Sequence, residues 1–518
     1  MVEGQLGDVL PLLRRLPHCP DPLALFAAAT DGGRRPDTLL LESADMSTLQ
    51  GERSILVLRS ALRIEARGRT VTIQALTANG DSLLPWLQSR LDFGKTSLEG
   101  RTLICCLPVP THTASEKQRQ HAITSLDVLR KLIFGLKLTN QPTALALAIY
   151  GVFSYDLLEA VEKLPAARVD LADYPDYVFW LPESMAIINH KERFTTLLAH
   201  VYGGEKERTS YADAMIAIEQ LTRDCERPHV PSSGANAGGS VDTDQSDEDY
   251  MAVVEQCRRH IVAGDVFQIV PSRTFSAPCA DPLASYARLR QVNPSPYMFY
   301  VRRSEDVLFG SSPETCLKVS GQPLRLEITP LAGTRPRGFD AAGFIDQDLD
   351  SRLEAELKLD QKELAEHMML VDLARNDVAR VSEPGTRRVD ELLTVDRFSH
   401  VMHLVSRVSG VLRPELDALH AYAASMNMGT LVGAPKVRAA ELLRQLEPTR
   451  RGTYGGAVGY LSADGQMDTA IVIRSAQVRD GVAYVRAGAG VVYDSDPLLE
   501  AEETRRKAQG VLKALTTA

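Results

Sequence analysis

Two pairs of glutamates share a three-residue spacing. Glu363 and Glu366 lie in DQKELAEHMML, and Glu500 and Glu503 lie in DPLLEAEETRRK. On a helix, residues three apart project to nearly the same face. Two such helices, if they met, would offer four carboxylates to a hard divalent cation, which takes oxygen ligands and often binds one or two carboxylates plus substrate oxygens. The same residues also have plain structural uses. Asp360 with Glu363 fits a variant helix cap, and Glu503 with Lys507 fits a surface ion pair. Spacing alone leaves both readings open.

His400 and His403 sit in the apolar string SHVMHLVS. A histidine there is either a base or a satisfied core group. Arg474 closes the apolar run AIVIR and reads as a strand arginine that needs an anion if buried, whether a substrate or a structural carboxylate. Glycine-bearing loops recur in PLAGTRPRG, NMGTLVGAPK, YGGAVGY and RAGAGVV. None has the phosphate-loop register or the dinucleotide fingerprint. They either let backbone N–H groups approach carboxylate oxygens or are tight turns.

The elements that must position these groups are mixed. SILVLRSALRIEARGRTVTIQAL predicts a hairpin or meander, FTTLLAHVY a strand, and AIVIRSAQVRDGVAYVRAGAGVV a hairpin turning at Arg479-Asp480-Gly481. SYADAMIAIEQLTRDCE and DSRLEAELKLDQKELAEHMMLVDLARND predict helices, and DSDP predicts a helix start with Asp496 as cap. Strands that come as hairpins point to an α+β fold with antiparallel sheets. The stretch 226–248 is rich in Pro, Gly, Ser and Asp and predicts a linker between an N-terminal part, 1–225, and a C-terminal part, 249–518.

The chain has 518 residues and a net charge of −9, which argues against a nucleic-acid-binding surface. Seven scattered cysteines with no metal-like spacing, no leader pattern and no long apolar span predict a cytoplasmic, reduced, non-membrane protein.

Taken in order, LLESA, GDVFQIVPSR, NPSPYMFY, GSSPETCLKV, ITPLAGTRPRG, DQKELAEHMMLVDLARNDVARV, FSHVMHLVS, MGTLVGAPKVRA, TYGGAVGYL, DTAIVIRSA, RAGAGVVYDSDP and EAEETRRKA resemble the chorismate-utilising enzyme family, and within it the anthranilate synthase component I group. The strings cover nearly all of 250–518 and are sparser before it. The resemblance implies a large sandwich of antiparallel sheets with flanking helices. It implies conversion of chorismate and ammonia to anthranilate and pyruvate through aminodeoxyisochorismate, the first step of tryptophan biosynthesis. By resemblance, Mg²⁺ is held by Glu366 and Glu503, with Glu363 and Glu500 alongside. Chorismate meets Gly333, Thr334, Tyr454, Arg474, Gly488, Ala489 and Gly490. Glu314 matches the general acid for departure of the C4 hydroxyl, and His403 the residue associated with pyruvate elimination, with Thr334 and Gln268 as further catalytic positions.

Within the family, isochorismate and salicylate synthases carry a water-activating lysine where Gln268 stands. Aminodeoxychorismate synthases, the alternative reading, typically carry a nucleophilic lysine where Ala332 stands. Alanine cannot form that adduct, which favours the ortho product. A non-catalytic chorismate- or tryptophan-binding relative would not need the acid and base. No string resembling the cysteine elbow of a glutamine amidotransferase occurs, so the resemblance implies a separate amidotransferase subunit, in a heterotetramer of two large and two small chains. It also implies feedback inhibition by L-tryptophan, bound by Glu42, Ser43, Asn293, Pro296, Tyr297, Met298, Val458, Gly459 and Tyr460.

Overall fold

The computed structural model describes residues 5–42, 53–109, 121–140, 144–166, 168, 173–226, 239–340, 343–398 and 401–516. Ser43, His400 and residues 227–238 of the expected linker lie outside them. Among the described residues one hydrogen-bonded ladder links 23 strands. Its pairs are antiparallel except for Asp8–Val9 beside Lys137–Leu138.

The ladder folds back on itself because two long strands bend. Arg53–Arg67 and Tyr177–Asn189 pair along their length, with register shifts between Val57 and Leu62. Such bulges kink a strand and increase its twist. Before the bend, Leu39–Leu41 pair with Ile55–Val57. From there one sheet continues through Tyr297–Arg302, Asp306–Ser312, Ser475–Arg479, Val482–Gly488 and Ser272–Pro278. From Tyr177–Asn189 the other sheet continues through Ala148–Phe153, Ala457–Ser462, Met467–Ile471, Thr315–Ser320, Arg325–Ile328 and Val401–Val411.

Period-two alternation sorts the side chains into layers. Phe299 and Val301 enter a core shared with Tyr150, Val152, Val458, Ala470 and Val472, between the sheets. Their neighbours Met298 and Tyr300 face outward, into a core with Leu289 of the helix Pro282–Val292 and Val511 of Pro497–Thr516. On the other sheet Ile149, Phe153, Ala457 and Ile471 face outward onto Val371 and Val378 of the helix Gln361–Val381. The fold is therefore α+β: helices, sheet, sheet, helices.

Sequence and structure differ at three points. The expected single helix over 350–377 is two, Gln347–Leu359 and Gln361–Val381, because Asp360 leaves helical geometry and caps both. Arg474 is not in a strand: it occupies a bend between Met467–Ile471 and Ser475–Arg479, with φ +49°. The helix Asp247–Val262, capped by Ser246, begins inside the expected linker. The two sequence halves also share strand pairs, since Thr38–Glu42 adds to Tyr297–Arg302 and Ala148–Phe153 to Ala457–Ser462. The seven cysteines are free, and among the described residues no helix is long and apolar enough to cross a membrane.

Candidate active site

The site forms at a seam where two neighbouring segments cross from one sheet to the other. Asp306–Ser312 belongs to the first sheet and Thr315–Ser320 to the second, so Glu314 sits on the crossing. The chain crosses back between Met467–Ile471 and Ser475–Arg479, and Arg474 sits there. The two crossings are stitched together: Ile471 N–H donates to the Glu314 carbonyl at 3.0 Å, and Ser311 N–H to the Arg474 carbonyl at 3.1 Å. Residues 160 apart in sequence become neighbours.

Glu314 is 7% exposed and accepts a hydrogen bond on Oε1 from the Thr430 hydroxyl at 2.9 Å. Burial pushes its carboxyl up to about 7, against the pull of Thr430, Arg474 and Lys507. The Arg474 guanidinium has no hydrogen-bond or ion-pair partner among the described residues. Burial lowers its affinity for the proton, partly offset by Tyr454, Glu503 and Glu314. A half-buried cation without a counter-ion can take an anion.

His403 lies opposite Thr334 in the ladder of Leu331–Pro336 with Val401–Val411. Its Nδ1 is 3.2 Å from the Gly333 carbonyl and 3.0 Å from Thr334 Oγ1. The carbonyl can only accept, so Nδ1 carries the hydrogen and Nε2 is left with the lone pair. Burial, with Arg474 and Lys507 nearby, pushes the imidazole down to about 4, so it is neutral near pH 7.

The glycines make room. Gly333 has φ +84°, and a Cβ there would lie 3.2 Å from Glu363 Oε2. A Cβ on Gly488 would meet the Pro271 carbonyl at 2.6 Å and the Tyr454 hydroxyl at 3.1 Å. Ala489 N–H donates to the Pro271 carbonyl at 3.2 Å. A Cβ on Gly490 would lie 2.9 Å from Gln268 Nε2. The Gln268 amide is thus held beside the Gly488–Gly490 turn, with Oε1 buried and unpartnered.

The helices Gln361–Val381 and Pro497–Thr516 bring Glu366 within electrostatic reach of Glu500 and Glu503. Glu366 is pushed up to about 7, first by burial and further by Glu363, Glu500 and Glu503. Burial and Glu503 raise Glu500, whereas Lys507 brings Glu503 below its ordinary range. Among the described residues no three such side chains converge on one ligating point as they stand. Instead the carboxylates lean on cations: Glu363 on Arg335 at 3.1 Å, Glu366 on Lys362 at 3.9 Å and Glu503 on Lys507 at 2.6 Å.

The expected regulatory residues divide between two faces. Glu42 pairs with Met298 across the ladder. Met298 faces outward, and Glu42 Oε1 accepts from the Tyr286 hydroxyl at 2.5 Å and lies 3.2 Å from Arg290 Nε, with Oε2 buried and unpartnered. Tyr297, Val458 and Tyr460 line the space between the sheets with Ala470. The Tyr297 hydroxyl lies 3.1 Å from both Thr315 Oγ1 and Asp468 Oδ1. Gly459 packs so closely that a Cβ would sit 2.0 Å from the Asp468 carbonyl. Asn293 caps the helix Pro282–Val292, just ahead of Pro296.

Two residues of the site carry no sequence signal. Thr430 lies in a glycine loop of ordinary appearance. Lys507, legible only as a helix ion pair, also donates to the Gly488 carbonyl at 3.1 Å and faces both Glu314 and His403.

Residues 97–513 match the family model described as chorismate binding enzyme. Anthranilate synthase component 1 of Vibrio cholerae is 49% identical over 502 residues, covering 96% of this chain and 95% of that one. The Escherichia coli K12 protein of the same name is 47% identical with the same coverage. A crystal structure of anthranilate synthase component I from Streptococcus pneumoniae superposes with TM-score 0.68 at 28% identity, covering 90% of this chain and 93% of that one. The menaquinone-specific isochorismate synthase of Escherichia coli superposes with TM-score 0.71 at 18% identity, covering 99% and 96%, which bears on the fold alone.

Proposed function

The chain belongs to the chorismate-binding enzyme family, and we propose that it is the chorismate-converting component of an anthranilate synthase. The observation that carries the reading is the seam itself, where a carboxyl that burial pushes up to about 7 stands near an arginine without a counter-ion among the described residues. The reaction has two stages. Ammonia forms a bond to ring C2 as the C4–O bond breaks, Glu314 gives its proton to the departing hydroxyl, and water leaves. The nitrogen loses a proton to water, and the neutral Gln268 amide lies beside that approach. A protonated acid is needed because hydroxide is a poor leaving group. His403 Nε2 then takes the C2 proton of aminodeoxyisochorismate, the bond from the ring to the enolpyruvyl oxygen breaks, and the ring aromatises as pyruvate departs. Arg474 pairs with the enolpyruvyl carboxylate, Tyr454 and Gly488–Gly490 form the wall behind it, and Thr334 with Gly333 holds His403.

The charges of Glu363, Glu500 and Glu503 raise the proton affinity of Glu366, and such a group of carboxylates is a donor set for a hard divalent cation. Mg²⁺ fits, with Glu366 and Glu503 as holders and Glu363 and Glu500 alongside. When bound it supplies positive charge to the ring carboxylate of chorismate. Ala332, in place of a nucleophilic lysine, favours the ortho product over the para product of aminodeoxychorismate synthases.

Ammonia comes from a glutamine amidotransferase partner, in keeping with the "component 1" names of the relatives. L-tryptophan acts as inhibitor at the strands bearing Glu42, Tyr297 and Tyr460, where the two sequence halves pair. A ligand bridging them shifts activity by as much as it prefers one arrangement of those halves. The free thiols suit a cytoplasmic setting. The test is turnover of the purified chain on chorismate and Mg²⁺ with ammonium or with glutamine, each with and without tryptophan. Anthranilate from ammonium alone, suppressed by tryptophan, is expected. Glutamine-dependent turnover by the pure chain, or a para product, would refute the reading.

A further inference from the structure

Glu314 has two oxygens, and only one can carry the proton that the leaving hydroxyl receives. Its Oε1 accepts from Thr430 at 2.9 Å, while Oε2 has no partner among the described residues. Glu314 and Thr430 border a cleft of about 20 Å³ together with Thr315, Thr329, Leu373 and Asp377. That is room for about one water. Thr430 is itself anchored. It sits on the short helix Gly429–Val432, and Gly429 packs so closely on the helix Gln361–Val381 that a Cβ would lie 2.3 Å from Leu373 Cδ2. The same helix carries Glu363 and Glu366 on its N-terminal turns.

We propose that Thr430 is the positioning residue of the amination stage, its hydroxyl locking Oε1 so that the Glu314 proton resides on Oε2. The inference rests on the reading of Glu314 as the general acid. A hydroxyl donating to Oε1 cannot share that oxygen with an acidic proton pointed the same way, so the transferable hydrogen is directed to Oε2. After transfer, the same hydrogen bond stabilises the carboxylate left behind. The other charged or titratable groups facing Glu314 are Arg474, Lys507 and the Cys316 thiol, with Asp377, ion-paired with Lys436, bordering the same cleft.

The test compares Thr430→Val and Thr430→Ser in the full chain with Mg²⁺ and ammonium. For Thr430→Val the amination kcat is expected to fall roughly 10- to 100-fold, the worth of one hydrogen bond to a charged group, with the chorismate KM within about twofold. The pH at which kcat declines moves upward, because the lost donor favoured the charged carboxyl. Pyruvate elimination from aminodeoxyisochorismate supplied directly keeps its wild-type rate, and Thr430→Ser restores both rate and pH profile. Thr430→Val with an unchanged amination rate, or with elimination slowed in parallel, would overturn the proposal. Failure of the underlying reading looks different: Glu314→Gln would then aminate chorismate at the wild-type rate.

Discussion

Replacing Glu314 with glutamine keeps the shape of the side chain and its hydrogen bond from Thr430 but removes the transferable proton. The structure sets the scale of the loss. At its ordinary value of 4.5 the carboxyl would be protonated in roughly 0.3% of molecules at pH 7. Pushed up to about 7, it is protonated in about half, which enlarges the competent population roughly 150-fold. Positioned acids contribute about 10² to 10⁴ in rate, so Glu314→Gln is expected to lose at least about 10² in kcat. Because the acid form is present below about pH 7 and lost above it, wild-type kcat falls as pH rises through that value. The His403 imidazole becomes neutral above about 4, so its limb lies on the acid side. The assay is anthranilate fluorescence at saturating chorismate and Mg²⁺, with free ammonia held constant across pH. Activity of Glu314→Gln within about fivefold of wild type, or wild-type kcat rising between pH 7 and 8, would refute the reasoning.

Arg474→Met removes a half-buried cation that has no protein partner among the described residues. It is expected to lower kcat/KM for chorismate roughly 10- to 100-fold while leaving the ligand-free Tm unchanged or higher, since no native ion pair is broken. A Tm several degrees lower would mean the guanidinium holds the fold together. Mg²⁺ titrated into the ligand-free chain should raise Tm by mass action, equivalent to about 2.7 kcal/mol at 100 times Kd. Glu366→Gln should abolish that rise and itself melt above wild type in metal-free buffer, because one charge of the repelling set is gone. A Tm indifferent to Mg²⁺ would remove the metal from the proposal.

Local pattern carried most of the secondary structure. Alternation in RTVTIQAL and FTTLLAHVY and the turn at Asp480-Gly481 became strands and a hairpin as expected. The misreadings have a shared cause. LKLDQKEL has no Gly or Pro, so the local cap pattern of Asp360 with Glu363 competes with an uninterrupted helix, and nothing local decides between them. The Asp360 side chain accepts from Lys362 and Glu363 N–H only because the second helix turns away to pack on Val401–Val411. AIVIRSAQV likewise reads as one strand throughout. What interrupts it is the passage from sheet to sheet, which no residue type announces.

The chemistry concentrates where those interruptions fall. Inside a ladder a side chain is committed to one face and the backbone to its neighbours. At the seam the backbone leaves both ladders, and Arg474 adopts a left-handed φ that a non-glycine residue rarely takes. Such conformations persist only where the surroundings enforce them. Here two sheets and the bonds from Ile471 to Glu314 and from Ser311 to Arg474 do so. The enforcement fixes an acid and a cation side by side without letting them pair, since Glu314 is held by Thr430 and Arg474 by its own bend. The residue types were legible in SSPETC and AIVIR, as was the three-residue rhythm of the glutamates. The restraint that raises Glu314's proton affinity and leaves Arg474 unpaired was not, because it belongs to the meeting of two sheets rather than to either string.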